Sequence, residues 1–273
     1  MYFHHGIILR FILASVLTKI KIICSERNSL RFYDFTRARR RLPFYSLWFA
    51  DKITVQFPSY IADYPKLFRR KIVVVPNPVF PNASHTIERE RIILGVGRLC
   101  AQKQFSIIIK AFSLIRSDFA DWKVIIVGSG PQEGELRKMI KYHSLESHVF
   151  LESPTSEIGA FYAKARYYCQ PSLWEGFPNA QAEAMASGVV PIGFAETSGV
   201  ADLIQVGKNG YIVAGRPSAE ALADTLRTAL SSEDDWPHLS SNARKVADNY
   251  SPDRWRKAWS NVLSWEKPHG ESR

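Results

Sequence analysis

From Arg91 onward the chain alternates short, unbroken apolar runs with amphipathic stretches, and no other feature narrows its possible folds as far. A strand buried on both faces has no wet side, so it reads as a continuous β-branched run rather than an alternating one. Strands are predicted at Arg91 to Gly97, Lys123 to about Gly128, Val149 to about Glu152, Arg166 to about Pro171, Val189 to Phe194 and Tyr211 to Val213. Helical periodicity fills the gaps, over about Lys103–Arg116, Pro131–Tyr142, Asn179–Ala186 and Ala219–Leu230. This order predicts an α/β chain whose parallel sheet is wrapped by helices.

Upstream, "KIVVVPNPVFPNASHTIERE" carries a strand, then Pro76, Pro78, Pro81 and polar residues, which predicts a linker over 76–90. Residues 1–75 are fewer than the ~100–150 that a doubly wound domain needs. They read as the tail of one such domain, with a full one over 91–250. At the far end, "SPDRWRKAWSNVLSW" predicts a capped helix whose Trp255, Trp259 and Trp265 need cover. Residues 251–273 are therefore expected to pack back toward the N-terminal part.

The first 24 residues are apolar, but Arg10, Lys19 and Lys21 interrupt them, and the uncharged part falls short of the ~20 residues of a membrane span. A buried helix followed by a strand over Lys19–Cys24 is expected. Cys24, Cys100 and Cys169 are odd in number and lack metal-ligand spacing, so they read as reduced, buried thiols in a cytosolic protein.

Charge is uneven. Residues 1–75 hold 14 Lys and Arg against 4 Asp and Glu, whereas residues 76–273 hold 22 against 22. The basic quarter is either a solvated face or an attractor of anions, such as an anionic membrane surface or a phosphorylated acceptor. Nucleic acid is disfavoured, because Arg37–Arg41 ("RARRR") has no recognisable base-reading module around it.

Three Gly-rich turns follow strands: "GVGRL" (Gly95–Leu99), "GSGPQEG" (Gly128–Gly134) and "EGFP" (Glu175–Pro178). Glycine there lets backbone N–H groups approach a phosphate. The second turn has the spacing G-x-G-x-x-x-G, which departs from the dinucleotide fingerprint G-x-G-x-x-G and counts against a nicotinamide oxidoreductase. Arg98 and Lys103 precede a helix whose dipole opposes them, an arrangement that makes sense around an anion. Glu183 sits among alanines in a helix apolar enough to be buried, and a buried carboxylate needs donors such as sugar hydroxyls. A nucleotide diphosphate sugar satisfies both charge signs together. The acidic run Glu233–Trp236 reads as a loop and helix start, and no metal site is suggested.

These motifs together strongly resemble glycosyltransferase family 4, retaining enzymes of GT-B architecture. The family's E-x7-E signature matches Glu175 to Glu183, its "GRL…K" clamp Arg98 and Lys103, its "VGSGP" turn Val127–Pro131, and its "VPNPV" linker Val75–Val79. The resemblance covers about Lys71 to the chain end. It implies a complete C-terminal Rossmann-like domain and a partial N-terminal one, since the family's first Gly-rich loop has no counterpart.

By resemblance, Arg98 and Lys103 bind the donor diphosphate and Glu183 the nucleotide ribose. Glu175, with Gly176 and Phe177, contacts the transferred hexose. Gly97, Gly128, Gly130 and Leu151 flank the nucleotide, and the helix from Asn179 aims its positive end at the phosphates. "KIICSERN" (Lys21–Asn28) resembles the acceptor domain, with Glu26, Arg27 and Asn28 as acceptor-side candidates. The implied activity is transfer of a hexose or N-acetylhexosamine from a UDP- or GDP-sugar, without metal or cofactor, to a glycan or polyprenyl-diphosphate-linked acceptor. Such chemistry belongs to bacterial polysaccharide, capsule or lipopolysaccharide assembly at the cytoplasmic membrane face. The alternative is a truncated, non-catalytic nucleotide-sugar-binding remnant.

Overall fold

The computed structural model of the protein describes residues 20–30, 45–80 and 88–264. The helix expected near the chain start, the Arg37–Arg41 cluster, Pro81 and Trp265 lie outside them. The chain divides into two compact units, one formed by Met1–Pro78, Glu175–Phe177 and Tyr250–Arg273, the other by Val79–Trp174 and Pro178–Asn249.

In chain order the first unit begins with β1 (Ile23–Ser25), β2 (Lys52–Val55), α1 (Lys66–Arg69) and β3 (Ile72–Val74). The second unit runs β4 (Glu90–Val96), α2 (Phe105–Ser113), β5 (Lys123–Val127), α3 (Glu133–Tyr142), β6 (Val149–Glu152), α4 (Ile158–Lys164) and β7 (Ala165–Gln170). It continues with α5 (Asn179–Ala186), β8 (Val190–Phe194), β9 (Tyr211–Val213), α6 (Ala219–Ser231), α7 (Trp236–Arg244) and α8 (Val246–Asn249). The last helix, α9 (Pro252–Leu263), returns to the first unit.

The first unit holds a parallel sheet in the order β1-β2-β3, with Cys24 opposite Ile53 and Thr54 opposite Val73. The strand expected over Lys19–Cys24 forms later, because the Asp51 carboxylate takes the Ile22 N–H at 2.7 Å and the ladder starts beyond it. Ser251 caps α9 by accepting the Arg254 N–H, and Pro252 occupies the first turn, where its missing donor costs nothing. Trp259 and Val262 of α9 are buried with Val75, and Ile23, Val73 and Trp255 pack around them.

The second unit holds a six-stranded parallel sheet in the order β6-β5-β4-β7-β8-β9. Its strands match the apolar runs to within two residues at either end, and β8 is buried throughout. Helices cover both faces, as two-sided burial requires. Phe105, Phe112, Trp122 and Tyr167 fill one side, while Leu94, Tyr162, Tyr168 and Ala184 fill the other.

Two helices of this unit, α4 and α8, were not expected, while α7 begins at Trp236, where the acidic run predicts a helix start. Helix α4 is a single short segment that runs straight into β7 with no Gly or Pro between them, and α7 buries Leu239, Ser240 and Ala243 rather than an apolar stripe. Helix α8 is four residues long. Cys24 and Cys169 are buried free thiols, but Cys100, expected to be buried, is only half-buried in the turn after β4. Among the described residues no helix is long and apolar enough to cross a membrane.

Candidate functional site

From β4 the second unit's chain steps outward through β5 and β6, then crosses back to place β7 on the other side of β4. In an open parallel sheet that reversal leaves a crevice beyond the carboxyl ends of the central strands. A pocket of about 400 Å³ opens there. Gly97 and Arg98 line it after β4, Gly128 and Ser129 after β5, and Pro154 and Thr155 after β6. Tyr162 of α4 and Asn179, Ala180 and Glu183 of α5 form its other wall.

The turns after β4 and β5 are laced together by their backbones. Gly97 N–H donates to Val127 O at 3.0 Å, Leu99 N–H to Ser129 O at 2.8 Å, and Gln132 N–H to Leu99 O at 3.0 Å. A Cβ at position 128 would stand 1.9 Å from the Gly97 carbonyl oxygen, so only glycine allows this approach. Gly130 faces the Leu99 backbone rather than the pocket.

Lys103 lies over Gly97, with its Nζ 3.6 Å from where a Cβ on Gly97 would be. The following residue, Gln104, is left-handed at φ 48°, a strain of about 1 kcal/mol for a residue with a Cβ. Two bonds fix this bend to the loop after β7: Leu173 N–H to Gln102 O and Gln102 Nε2 to Trp174 O, both 2.9 Å. Below the pocket, the buried Tyr168 hydroxyl donates to Gln170 Oε1 at 2.6 Å, with Val96 O at 3.2 Å, and Gln170 Nε2 donates to Ser172 Oγ at 2.7 Å. Thr197 extends the chain by donating to Ser172 O at 2.6 Å. Satisfied buried networks of this kind rigidify what they support.

Helix α5 has no side-chain N-cap, and its first residues, Asn179 and Ala180, line the pocket. The amides of such a first turn suit an anion. One turn further in, Glu183 Oε2 accepts the Tyr162 hydroxyl at 3.2 Å. Burial pushes the Glu183 carboxyl above its usual range, and the Tyr162 bond partly offsets this. Burial and the neighbouring Glu183 push the Tyr162 phenol far above its own, so it stays a donor. The carbonyls of Tyr162, Ala165 and Ser187 all accept from the Arg89 guanidinium, which ties the C-terminal ends of α4 and α5 together.

In the first unit, Glu175, Gly176 and Phe177 pack among residues that sequence reasoning did not connect to them. The Tyr60 hydroxyl donates to Gly176 O at 2.6 Å, and Phe177 stacks on Phe57 at 5.3 Å between centroids. A Cβ on Gly176 would meet Arg27 O at 1.7 Å and lie 3.1 Å from Asn28 Cα, so these two candidates run against that loop through their main chain. Glu175 is nearly buried at 8% exposure. Glu26 is fully buried, and the Cys24 thiol donates to its Oε1 at 3.4 Å; burial first, and then Glu26, raise that thiol. Burial also lowers the Arg27 guanidinium.

The pocket thus gathers Gly97, Arg98, Gly128, Asn179 and Glu183 from three separate segments. Leu151 instead packs sideways against the core, and Pro154 and Thr155 take its expected place at the pocket edge. Tyr162 was missed. Its signal is a lone hydroxyl on a short helix whose only other polar side chain is Lys164, and such a hydroxyl must find a partner when buried. Among the described residues no three His, Cys, Asp or Glu side chains gather as a metal site, and Glu233 is engaged by Arg91 at 2.8 Å.

Known proteins share this architecture. An uncharacterized glycosyltransferase of Haemophilus influenzae is 25% identical over 254 residues, covering 92% of this chain and 72% of its own. The GalNAc-α-(1→4)-GalNAc-α-(1→3)-diNAcBac-PP-undecaprenol α-1,4-N-acetyl-D-galactosaminyltransferase of Campylobacter jejuni is 26% identical over 257 residues, covering 93% and 70%. Among solved structures, HepE of Anabaena, in complex with UDP, superposes with a TM-score of 0.85 at 17% identity, covering 96% of this chain and 77% of that one. The fold is that of the GT-B glycosyltransferases. The family model described as glycosyl transferases group 1 matches residues 79–246, more than half of the chain, which therefore belongs to that family.

Proposed function

We propose that the protein transfers a hexose or N-acetylhexosamine from a nucleotide diphosphate sugar to a glycan or polyprenyl-diphosphate-linked acceptor, with retention of configuration. One observation carries this reading: one pocket is lined by a cation, close-approach glycine backbone and a helix N-terminus, and beside them by the half-buried carboxylate of Glu183. Phosphates suit the first set and ribose hydroxyls the second. The UDP bound by HepE and the lipid-linked glycan named for the Campylobacter enzyme support the substrate classes.

In the proposed reaction the acceptor hydroxyl attacks the anomeric carbon on the face the diphosphate leaves. The C–O bond to phosphate breaks as the new glycosidic bond forms, and the departing phosphate oxygen takes the hydroxyl proton. Arg98 and Lys103 stabilise the charge growing on that phosphate, without a metal ion, and loss of one such group typically costs ~10²–10³ in rate. Glu175, Gly176 and Phe177 contact the hexose, while Glu26, Arg27 and Asn28 lie on the acceptor side. The test is incubation with UDP- and GDP-sugars and a polyprenyl-diphosphate-linked glycan, with and without EDTA. The reading expects a product whose anomeric proton coupling matches the donor, formed equally well with chelator. An inverted product, or dependence on divalent metal, contradicts it.

We further propose peripheral contact with an anionic membrane. Supporting it in the first unit, Trp48 and Phe49 are at least half exposed and the Trp48 ring meets Phe68 of α1 at 6.5 Å, where Lys66, Leu67 and Arg70 are also exposed. Aromatic residues flanked by cations suit a headgroup layer. Co-sedimentation with phosphatidylglycerol but not phosphatidylcholine vesicles is expected, and equal recovery with both contradicts the contact.

A further inference from the structure

The candidate donor pocket contains a hydroxyl with no assigned part in the proposed reaction, that of Tyr162. We propose that Tyr162 is a positioning residue: by donating to Glu183 Oε2 at 3.2 Å it holds that carboxylate in one orientation, leaving Oε1 to accept from the ribose hydroxyls of a bound nucleotide. The proposal rests on the reading of this pocket as a nucleotide-sugar site.

The geometry suits the role. The Tyr162 ring is fully buried among Leu94, Tyr168, Ala184 and Val189, so its hydroxyl has little freedom to leave Glu183. Its own carbonyl is held by Arg89, which also takes the Ser187 carbonyl just past α5. Donor and acceptor helices are thereby fixed to each other at the ends away from the pocket. Among the described residues no second side chain donates to the Glu183 carboxylate.

The coupling is electrostatic as well as geometric. Burial alone would push Glu183 toward its neutral form, which accepts less well from hydroxyls, and the Tyr162 bond opposes that shift. Helix α5 packs against β7, β8, α7 and α8. On β7 stand Arg166, Tyr167, Tyr168 and Cys169, and β8 has no titratable side chain. His238 and Arg244 stand on α7, Asp248 on α8, and Arg98 at the pocket. None of these contributes to the Glu183 shift, whose causes are burial and Tyr162.

The test has two arms on the full chain, comparing wild type with Tyr162→Phe after circular dichroism has confirmed that both fold. In the first, the Glu183 carboxyl carbon is titrated by NMR without ligand, with Glu183→Gln identifying its signal. Tyr162→Phe should raise the midpoint by about one pH unit, the size expected for losing a hydrogen bond to a charged group. An unchanged midpoint overturns the proposal whatever nucleotides do. In the second, affinity for UDP and GDP is measured across the same pH range. Binding should weaken as pH falls through the Glu183 midpoint, and Tyr162→Phe should move that loss to higher pH by the same amount. A uniform weakening with an unmoved pH profile assigns Tyr162 a packing role only and overturns the proposal. If the midpoint moves but wild type binds neither nucleotide, the donor-pocket reading fails, and the positioning role falls with it.

Discussion

Gly128 stands so close to Gly97 that a Cβ added to it would lie 1.9 Å from the Gly97 carbonyl oxygen. The oxygen belongs to backbone and the Cβ position is fixed by backbone, and Gly97 is held in place by its bond to Val127 O. Relief therefore requires one of two laced turns to move. Gly128→Ala is expected to cost about 2 kcal/mol or more in urea denaturation, at the large end for a single methyl. It should also abolish nucleotide binding, because both turns line the pocket.

The short loop at Glu175–Phe177 depends on Tyr60 and Phe57. Tyr60→Phe keeps the ring contacts and removes the hydroxyl's bonds to Gly176 O at 2.6 Å and Glu175 O at 3.2 Å, so a loss of about 1 kcal/mol is expected. Phe177→Ala removes the stack on Phe57 as well as buried area and should cost about 3–4 kcal/mol. Denaturation curves of the two variants check the ranking.

Arg89 is a half-buried cation that three carbonyls hold, and it lies 5.6 Å from the Trp236 ring centroid. Burial, with Arg244 second, lowers its pKa to about 10, so it remains charged at neutral pH. Arg89→Met leaves those carbonyls without their donor. A loss of about 3 kcal/mol is expected, with binding weakened because the ends of α4 and α5 come apart. Equal stability of variant and wild type contradicts the clamp.

Glu183 should oppose stability in exchange for function. Its folded pKa is raised, so the unfolded chain ionises first, near the ordinary value of about 4.3. Native stability then falls as pH rises from there through the folded midpoint, and the deficit is complete above it. Glu183→Gln removes the titration. The variant should match wild type at low pH and exceed it at neutral pH, as paired thermal melts would reveal.

The second unit's strands were legible because two-sided burial writes itself as unbroken apolar runs, so β4 through β9 followed from Ile92, Val124, Val149 and their neighbours, whereas their order in the sheet, which makes the switch point, did not. Arg98 and Glu183 were legible as charges placed where a helix dipole or an apolar surround disfavours them. Tyr162 was not, since its ring reads as core and its partner lies 21 residues away on another helix. Nor were Tyr60 and Phe57, whose contacts with Gly176 and Phe177 span more than a hundred residues. Helix α4 was missed because seven residues between two strands carry too little periodicity to separate helix from loop. Leu151, on β6, packs against the core, and the pocket takes Pro154 and Thr155 from the turn beyond that strand.

The central claim is that one pocket holds phosphate with Arg98 and ribose with Glu183. Calorimetric titration of the wild-type chain with UDP and with GDP, beside Arg98→Ala and Glu183→Ala, tests it most directly. The account predicts binding of one nucleotide, weakened about tenfold or more by each substitution, the size of a lost charge-assisted hydrogen bond. Tight binding left untouched by both substitutions, or no binding of either nucleotide by the folded chain, contradicts it.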